Sequence, residues 1–234
     1  MEALKSDDFR GLDGTGLKWI AILSMTLNHM GIALAEEGNL HMVWLANQVG
    51  RPAFIIFSFL LTEGFIHTRS RRRYLLRLLF LGAVSEIPYD LALWGSGVYG
   101  LRQNVFWTLA IGLGVLWAAS MAWGKGWFWE NLALTWAAVL GSIIAWILRT
   151  DYDVMGVLLI VWFFWSRDSR GRQLAGALVI FLMFVSQEFF LAASLSLVFI
   201  WMYNGQRGRN PHPMFFYWFY PVHLAVLAGI RLIM

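Results

Sequence analysis

Long apolar runs, separated only by short polar breaks, are the feature that most constrains how this 234-residue chain folds. A helix needs about 20 residues to cross the hydrocarbon core of a bilayer, and it must satisfy its backbone hydrogen bonds internally. Six runs are close to that length or exceed it: 17–35, 42–66, 74–94, 104–123, 127–148 and 214–234. We therefore predict an all-α integral membrane protein.

Three shorter apolar runs lie between them, at 154–165, 174–186 and 189–203. They are too short to span upright, so we expect re-entrant or tilted helices and a bundle of about nine helices, between eight and ten. Alternatively, 174–203 is one long helix, and the basic breaks on either side of it then face opposite sides of the membrane. Because positive residues are retained in the cytoplasm, the sequence favours a short hairpin.

The composition supports a membrane protein, with 59% hydrophobic residues and a mean hydropathy of +0.60. The net charge of +4 is compatible with nucleic-acid binding. However, the basic residues occupy separate breaks and form no single patch, so we predict no nucleic-acid partner. The absence of cysteine excludes disulfides, thiolate catalysis and cysteine metal sites.

The distribution of positive charge predicts the orientation of the chain. With nine passes and a cytoplasmic N-terminus, 14 of the 18 Lys and Arg residues lie on the cytoplasmic side: Lys5, Arg10, Lys18, Arg69, Arg71, Arg72, Arg73, Arg77, Lys125, Arg167, Arg170, Arg172, Arg207 and Arg209. The first residues are polar and lack the apolar core of a cleaved signal peptide. We expect a cytoplasmic segment at 1–16 and a single transmembrane domain at 17–234.

Four ionisable side chains from four predicted helices fall near one depth in the membrane. At a rise of about 1.5 Å per residue, His29, Arg51 and Glu86 lie about 18 Å from the cytoplasmic surface, and His223 lies slightly lower. Intramembrane ionisable groups usually mark a functional site. The alternative is that His29 is a hydrogen-bonded packing residue and that Arg51 and Glu86 form only a charge pair. We favour a functional cavity.

Two further polar groups flank this layer. Asp90 follows Glu86 by one helical turn across Pro88. Asn104 begins the next predicted helix at the outer side of the membrane. On the cytoplasmic side, the basic run at 67–77 is most simply a determinant of topology. Its guanidinium groups are also suited to holding the phosphates of a cytosolic ligand.

Several segments together resemble the TraX family, named for the factor that N-acetylates conjugative pilin. In chain order they are LKWIAILSMTLNHMG, GRPAFIIFSFLLTEGFIHTRSRRRYLLRLLFLGAVSEIPYDLAL, QNVFWTLAIGL, YDVMGVLLI, YNGQRG and FYWFYPVHL. The resemblance runs from about residue 17 to the C-terminus. More distantly, the start of the chain is similar to the membrane acyltransferases that include O-acetyltransferases of envelope glycans and lysosomal glucosaminide N-acetyltransferase.

The resemblance implies an acetyltransferase of the bacterial inner membrane. It would take acetyl groups from cytosolic acetyl-CoA and deliver them to a membrane-associated amine, with the pilin N-terminus favoured. In this interpretation His29 is the base, Glu86 orients it, and Arg51 steadies the oxyanion or the donor. The coenzyme would be held by His67, Arg71, Arg72, Arg73 and Arg77. The acceptor side would be lined by Asp90, Asn104 and His223.

Other interpretations stay open on the sequence alone. The family commonly has Asp-His where this chain has Asn28-His29, so Asn28 either orients His29 without a charge or marks a weakened site. His41 is an alternative base, and both direct transfer and an acyl-histidine intermediate are possible. The acceptor could instead be a glycan hydroxyl, or the protein could be a transporter or assembly factor. We predict no metal site, because His67 and His212 lack ligands at suitable spacing.

Overall fold

The structure is a computed structural model that describes residues 11–36, 38–209 and 214–234. Within these ranges it has nine α-helices and one short 3-10 helix, which confirms the predicted fold class. The helices are α1 Gly14–Ala33, α2 Leu40–His67, α3 Arg71–Trp94, α4 Val105–Ala119, α5 Trp127–Leu148, α6 Asp153–Trp165, α7 Arg170–Phe184, α8 Gln187–Trp201 and α9 Phe215–Ile233. The predictions for Lys5, Arg10, His212 and most of the 1–16 segment lie outside the described residues.

The lengths and surfaces of the helices fit a membrane protein. Four segments of the described chain are long and apolar enough to cross a bilayer: Leu40–His67, Val105–Ala122, Trp127–Leu148 and Phe215–Ile233. Large apolar side chains such as Leu23, Phe80 and Trp146 are exposed on the outside of the bundle. Such a surface is stable in contact with lipid and is a liability in water.

The helices run alternately up and down, so the bundle has two distinct ends. At the end where the odd-numbered helices begin, Arg71 Nη1 donates to Ser120 Oγ at 2.7 Å. At the opposite end, the backbone N–H of Gln103 donates to Arg149 O at 3.0 Å. We call the first the basic end, because it carries the arginine run of α3, and the second the distal end.

The segment at 170–201 is a helical hairpin, as the charge pattern favoured. α7 and α8 are separated by a break at 185–186. The guanidinium of Arg170, which begins α7, lies 5.4 Å from the ring of Tyr203, just beyond α8. At the other end of the hairpin, Trp44 Nε1 donates to Glu188 Oε2 at 3.1 Å. Both basic breaks that flank the hairpin therefore lie at the basic end.

Polar residues in the breaks set where the helices begin and end. The Asp13 carboxylate accepts from the backbone N–H of Gly16 at 2.7 Å, and Asn104 Oδ1 accepts from that of Phe106 at 3.0 Å. Such caps satisfy N–H groups that have no partner within the helix. Gly95 ends α3 in the left-handed conformation, with φ of 68°, which glycine adopts without strain.

α1 and α2 pack closely because small residues face each other. A Cβ atom on Gly50 would lie 2.5 Å from the Asn28 side chain, and one on Gly31 would lie 2.5 Å from Ala46 Cβ. Asn28 Nδ2 also donates to Ala46 O at 2.9 Å across the interface. Small residues and interhelical hydrogen bonds are typical of helix association in membranes. Asn28 therefore faces α2 and joins the first two helices.

α2 lies at the centre of the bundle and packs against α1, α4, α6 and α8. Its Phe54, Phe59 and Phe65 side chains are buried. By contrast, α5 is peripheral and packs mainly on α4 and α6. α1 and α9 pack against each other on one side of the core, and the polar residues described next lie between them and nearby.

Candidate active site

His29 on α1 and His223 on α9 form a hydrogen-bonded pair inside the bundle. His29 Nδ1 and His223 Nε2 are 2.8 Å apart, and the two ring planes differ by only 4°. Each histidine is 8% exposed. Within the described residues, no group of three His, Asp or Glu side chains is arranged to hold a metal ion. The sequence placed these histidines at similar depths, and the structure brings them into contact.

A third group sets the direction of the hydrogen bonds in the pair. His223 Nδ1 lies 2.9 Å from Phe219 O, one turn earlier in α9. A carbonyl oxygen can only accept, so Nδ1 of His223 carries a proton and Nε2 of the neutral ring accepts. We therefore assign the proton between the rings to His29 Nδ1. In a neutral His29 the lone pair is then on Nε2, which has no hydrogen-bond partner among the described residues.

Aromatic and apolar side chains surround the histidine pair. The Tyr220 ring meets His29 edge-on at 5.9 Å, and the Phe219 ring stacks on His223 at 5.2 Å. A cavity of about 410 Å³ between α1 and α9 reaches His223, and its remaining lining includes Thr26, Met30, Leu34, Val222 and Leu227. Charge that develops on an imidazole here is weakly screened, so its interactions with nearby groups are strong.

Glu86 is hydrogen-bonded to α4 and not to His29. Asn104 Nδ2 and Trp107 Nε1 both donate to Glu86 Oε2, the latter at 2.8 Å. The backbone N–H of Asn104 donates to Oε1 at 3.4 Å. The expected contact between Glu86 and His29 is therefore wrong, because His223 already occupies the Nδ1 side of His29. We call the Glu86, Asn104 and Trp107 group the carboxylate link, since it joins α3 to α4.

Arg51 lies on α2 and faces α8. Its guanidinium is 4.4 Å from the ring of Phe189, and its Nε is buried without a hydrogen-bond partner in the described part of the chain. The only ion pairs in that part are Arg102–Asp151 and Arg172–Asp168. The alternative of an Arg51–Glu86 charge pair is therefore not seen, and Arg51 keeps a donor available inside the bundle.

Two carboxyl groups lie at the distal end. Asp151, in the turn between α5 and α6, is 3.9 Å from Arg102 Nη1. Burial raises the pKa of Asp151, while the Arg102 and Arg51 guanidiniums oppose that increase. Asp90 Oδ2 accepts from the backbone N–H of Tyr99 at 2.6 Å and so holds the loop after α3. Asp90, predicted on the acceptor side, lies at this distal end.

The residues predicted to hold the coenzyme lie at the basic end and differ in their surroundings. The Arg71 guanidinium stacks on Trp123 at 4.7 Å and donates to Ser120. The Arg77 guanidinium lies over two tyrosine rings at 5.6 and 5.4 Å. The other three are exposed at the same end: His67, Arg72 and Arg73.

A family model described as TraX protein matches residues 13–231 of this chain. The chain belongs to the TraX family. The match includes all of α1 to α8 and all but the last two residues of α9, and so it includes both histidines of the pair. The resemblance seen in the sequence segments is confirmed.

One relative of this TraX chain is a probable fimbrial assembly protein, FimC of serogroup H1, from Dichelobacter nodosus. The two are 28% identical over 236 residues, and the alignment covers 92% of this chain and 94% of the relative. No solved structure matches the chain. The similarity therefore extends over the whole helical bundle and not over one motif.

Sequence reasoning missed three features of this TraX site. It did not pair His29 with His223, did not identify the Phe219 carbonyl as the group that fixes the tautomers, and did not include Trp107. Helical spacing contains part of the signal, because Phe219 and His223 are four residues apart and Trp107 follows Asn104 by three. The contact between α1 and α9 depends on tertiary packing and has no local signal.

Proposed function

We propose that this protein is a membrane-embedded acetyltransferase that uses acetyl-CoA and acetylates an amine of a pilus or fimbrial subunit, with the N-terminal amine favoured. One observation carries the proposal: a buried histidine pair whose hydrogen bonds leave an acceptor lone pair on His29 Nε2. Membership of the TraX family and the relative's description as a probable fimbrial assembly protein support the choice of acceptor.

The proposed reaction transfers an acetyl group from sulfur to nitrogen. The lone pair of the acceptor amine attacks the thioester carbonyl, and His29 Nε2 takes the proton that the nitrogen loses. The carbon–sulfur bond then breaks, and the coenzyme leaves as a thiolate that receives this proton from the imidazolium. The products are the N-acetylated acceptor and free coenzyme A, and His29 returns to its neutral form.

In this mechanism His223 is a positioning residue. Its Nε2 accepts from His29 Nδ1–H, so the His29 ring is held in the tautomer that has a basic Nε2. When His29 gains a proton, the same hydrogen bond becomes charge-assisted and strengthens. The bond from His223 to Phe219 O holds His223 in turn.

The developing oxyanion requires positive charge or a hydrogen-bond donor. Arg51 supplies both, because its Nε is a buried donor without a partner within the described residues. Asp90 and Asn104, nearer the distal end, line the approach of the acceptor. The carboxylate of Glu86 holds Asn104 in place.

The direction of transfer follows from the charge distribution. The basic end faces the cytoplasm under the positive-inside rule, in the inner membrane of a bacterium, with a cytoplasmic N-terminus. Acetyl-CoA therefore enters at the basic end, where Arg72, Arg73 and His67 are exposed. The acceptor reaches the histidine pair from the membrane or from the distal side.

The test is acetyl transfer from radiolabelled acetyl-CoA to a purified pilin subunit, with the protein in lipid nanodiscs. We expect His29→Gln to lower kcat by about 10² to 10⁴-fold, since this is the contribution of a general base. The matched variant is His41→Gln, because His41 is exposed on α2 and stacks on Trp44 at 6.1 Å. Full activity of His29→Gln with loss in His41→Gln would assign the base to His41 and contradict the proposal.

The same assay separates the alternative functions. Labelling of a glycan hydroxyl with no labelling of an amine would mean that the acceptor is a glycan, and that the acetyl transfer by His29 is otherwise as proposed. A wild-type protein that binds no acetyl-CoA would contradict the proposal and favour a transporter or assembly factor, because neither has a reason to recognise the coenzyme. The carboxylate link then has only a structural role.

A further inference from the structure

Two glycine-rich segments pair along their backbones at the basic end. The backbone N–H of Leu12 donates to Met202 O at 2.8 Å, and that of Asn204 donates back to Leu12 O at 3.0 Å. The backbone N–H of Gly14 then donates to Gln206 O at 2.8 Å. We call this pairing of 11–14 with 202–208 the glycine junction. It joins the start of α1 to the segment that follows α8.

The glycine junction admits no side chain at two of its glycines. A Cβ atom on Gly11 would lie 2.1 Å from Met202 O. Gly208 has φ of 74°, and a Cβ atom there would lie 2.5 Å from the Asp13 carboxylate. The two backbones are therefore in direct contact, and the Asp13 carboxylate packs against Gly208 where a side chain would otherwise lie.

Three cations surround the glycine junction. The Arg170 guanidinium lies 5.4 Å from the Tyr203 ring, and its Nη1 is buried without a hydrogen-bond partner in the described ranges. Lys18, one turn into α1, lies over the Phe216 ring at 5.4 Å, and the Arg207 carbonyl accepts from Thr15 Oγ1 at 3.3 Å, so both residues are at the start of α1. An anion that binds at the junction would be attracted by the positive charges of all three side chains.

The carboxylates at the junction are already bound to other groups. Asp13 caps α1 through the backbone N–H of Gly16, and Glu63 accepts from Tyr203 Oη at 3.3 Å. Burial and the Glu63 charge raise the pKa of the Tyr203 phenol to about 12, so Tyr203 stays a donor. Neither carboxylate forms an ion pair with a Lys or Arg side chain in the part of the chain that the structure describes.

We propose that the glycine junction, with Lys18, Arg170 and Arg207, binds the phosphate groups of the acyl-coenzyme donor. Guanidinium and ammonium groups are the side chains that hold phosphate oxygens. The Arg170 guanidinium lies over aromatic rings, but its Nη1 is buried without a hydrogen-bond partner in the described residues. None of the three cations forms an ion pair in those residues. The proposal rests on acetyl-CoA being the donor.

The position of the junction suits this role. Gly14 and His29 are fifteen residues apart on α1, so the junction lies about 22 Å along the helix axis from the histidine pair. A donor with its phosphates at the junction and its thioester at His29 would therefore run along α1. Its nucleotide end would stay at the basic end of the bundle.

The experiment measures coenzyme A binding by calorimetry, with the full chain in nanodiscs of zwitterionic lipid. Lys18→Gln and Arg207→Gln are each expected to weaken coenzyme A binding about tenfold and to leave the binding of pantetheine, which lacks the phosphoanhydride, unchanged. Arg172→Gln is the matched control, because Arg172 lies at the same end and is paired with Asp168. It is expected to bind coenzyme A as the wild type does.

Three results would overturn the site. The first is unchanged coenzyme A affinity in both variants, and the second is an equal loss of affinity for pantetheine. The third is that the junction variants lose binding to anionic-lipid vesicles, and that coenzyme A does not compete with the vesicles for the wild-type protein. The phosphate bound at the junction would then belong to a lipid headgroup.

The result also separates this site from the proposed function. Coenzyme A binding that depends on Arg207, in a protein that transfers no acetyl group, would support the site and contradict the acetyltransferase. Full acetyl transfer by Arg207→Gln at low acetyl-CoA concentration would support the acetyltransferase and contradict the site.

Discussion

The histidine pair, which is buried, and the carboxylate link, which is partly buried, are both polar contacts between two helices, but they differ in the hydrogen-bonding groups that they leave without a partner. In the pair, His29 donates to His223, which donates to Phe219 O, so the series ends on a lone pair at His29 Nε2. In the carboxylate link, Glu86 accepts from two side chains and one backbone group. The first arrangement leaves a basic nitrogen without a partner in the described residues, whereas in the second both carboxylate oxygens already accept hydrogen bonds.

This difference decides which polar group can take part in chemistry. A carboxylate that holds several N–H donors is stabilised as an acceptor and fixes its neighbours. A histidine with one nitrogen bound and one free can gain and lose a proton without breaking its support. Depth in the membrane made His29 and Glu86 look equivalent, and their hydrogen bonds separate them.

The comparison is tested most strongly at His223. His223→Phe keeps an aromatic ring but removes the acceptor for His29 Nδ1–H, so the tautomer is no longer fixed. We expect kcat to fall by about 10²-fold, within the range of general base catalysis, with little change in KM. The measurement is acetyl transfer as a function of pH, because loss of the pair also shifts the pH profile.

His223→Gln provides the matched control, since a glutamine carbonyl can accept from His29 Nδ1–H. It should recover part of the activity that His223→Phe loses. If both variants keep wild-type kcat and pH profile, the pair is only a packing contact and the distinction from the carboxylate link disappears.

Glu86 is expected to affect stability more than activity. Glu86→Ala leaves one N–H of the Asn104 amide and the partly buried Trp107 indole N–H without their acceptor, and an unsatisfied donor costs about 1–3 kcal/mol where it is buried. We expect a loss of about 2–5 kcal/mol in unfolding free energy, measured by denaturation in mixed micelles. Glu86→Gln keeps one acceptor oxygen and should lose less. A folded Glu86→Gln protein with no transfer activity would show that Glu86 acts in the chemistry.

The helices were predictable from sequence because each depends on a local property. Apolar length specified the runs, and polar caps such as Asp13 and Asn104 begin the helices where those runs start. The hairpin at 170–201 was also predictable, since the positive-inside rule acts on breaks and does not require knowledge of packing. Membership of the TraX family came from segments spread over the whole chain.

The partners of the polar residues were not predictable in the same way. Depth identified His29, Glu86 and His223 as candidates, but depth does not give the rotation of a helix or its neighbour. Whether His29 meets Glu86 or His223 depends on how α1, α3 and α9 pack. Similarly, Asn28 stood beside His29 in the sequence as its possible orienter, whereas a helix directs consecutive side chains about 100° apart.

Asn28 gives the next test, because it separates a neighbour in sequence from a partner in space. Asn28→Asp restores the residue pair common in the family but removes the N–H donor to Ala46 O and places a carboxylate against that carbonyl. We expect a loss of about 1–3 kcal/mol in unfolding free energy and no gain in kcat of the folded protein. Increased kcat in Asn28→Asp would show that the aspartate reaches His29 and would return a carboxylate to the pair.

Asp151 supplies the smallest expected effect. It is a third case for the comparison, because the charges of the Arg102 and Arg51 guanidiniums take the place of several N–H donors. Burial raises its pKa above the ordinary value of 3.8, so the folded protein binds this proton more tightly than the unfolded chain. The contribution of Asp151 to the free energy of unfolding is therefore greatest below about pH 3.8 and decreases as the pH rises through the pKa of the folded state. Asp151→Asn should remove this decrease and raise Tm slightly at neutral pH, measured in detergent over a pH series. A wild-type Tm that instead rises over that interval, by an amount that Asp151→Asn abolishes, would mean that Arg102 and Arg51 outweigh burial. Asp151 would then resemble Glu86 as a carboxylate stabilised in its charged form.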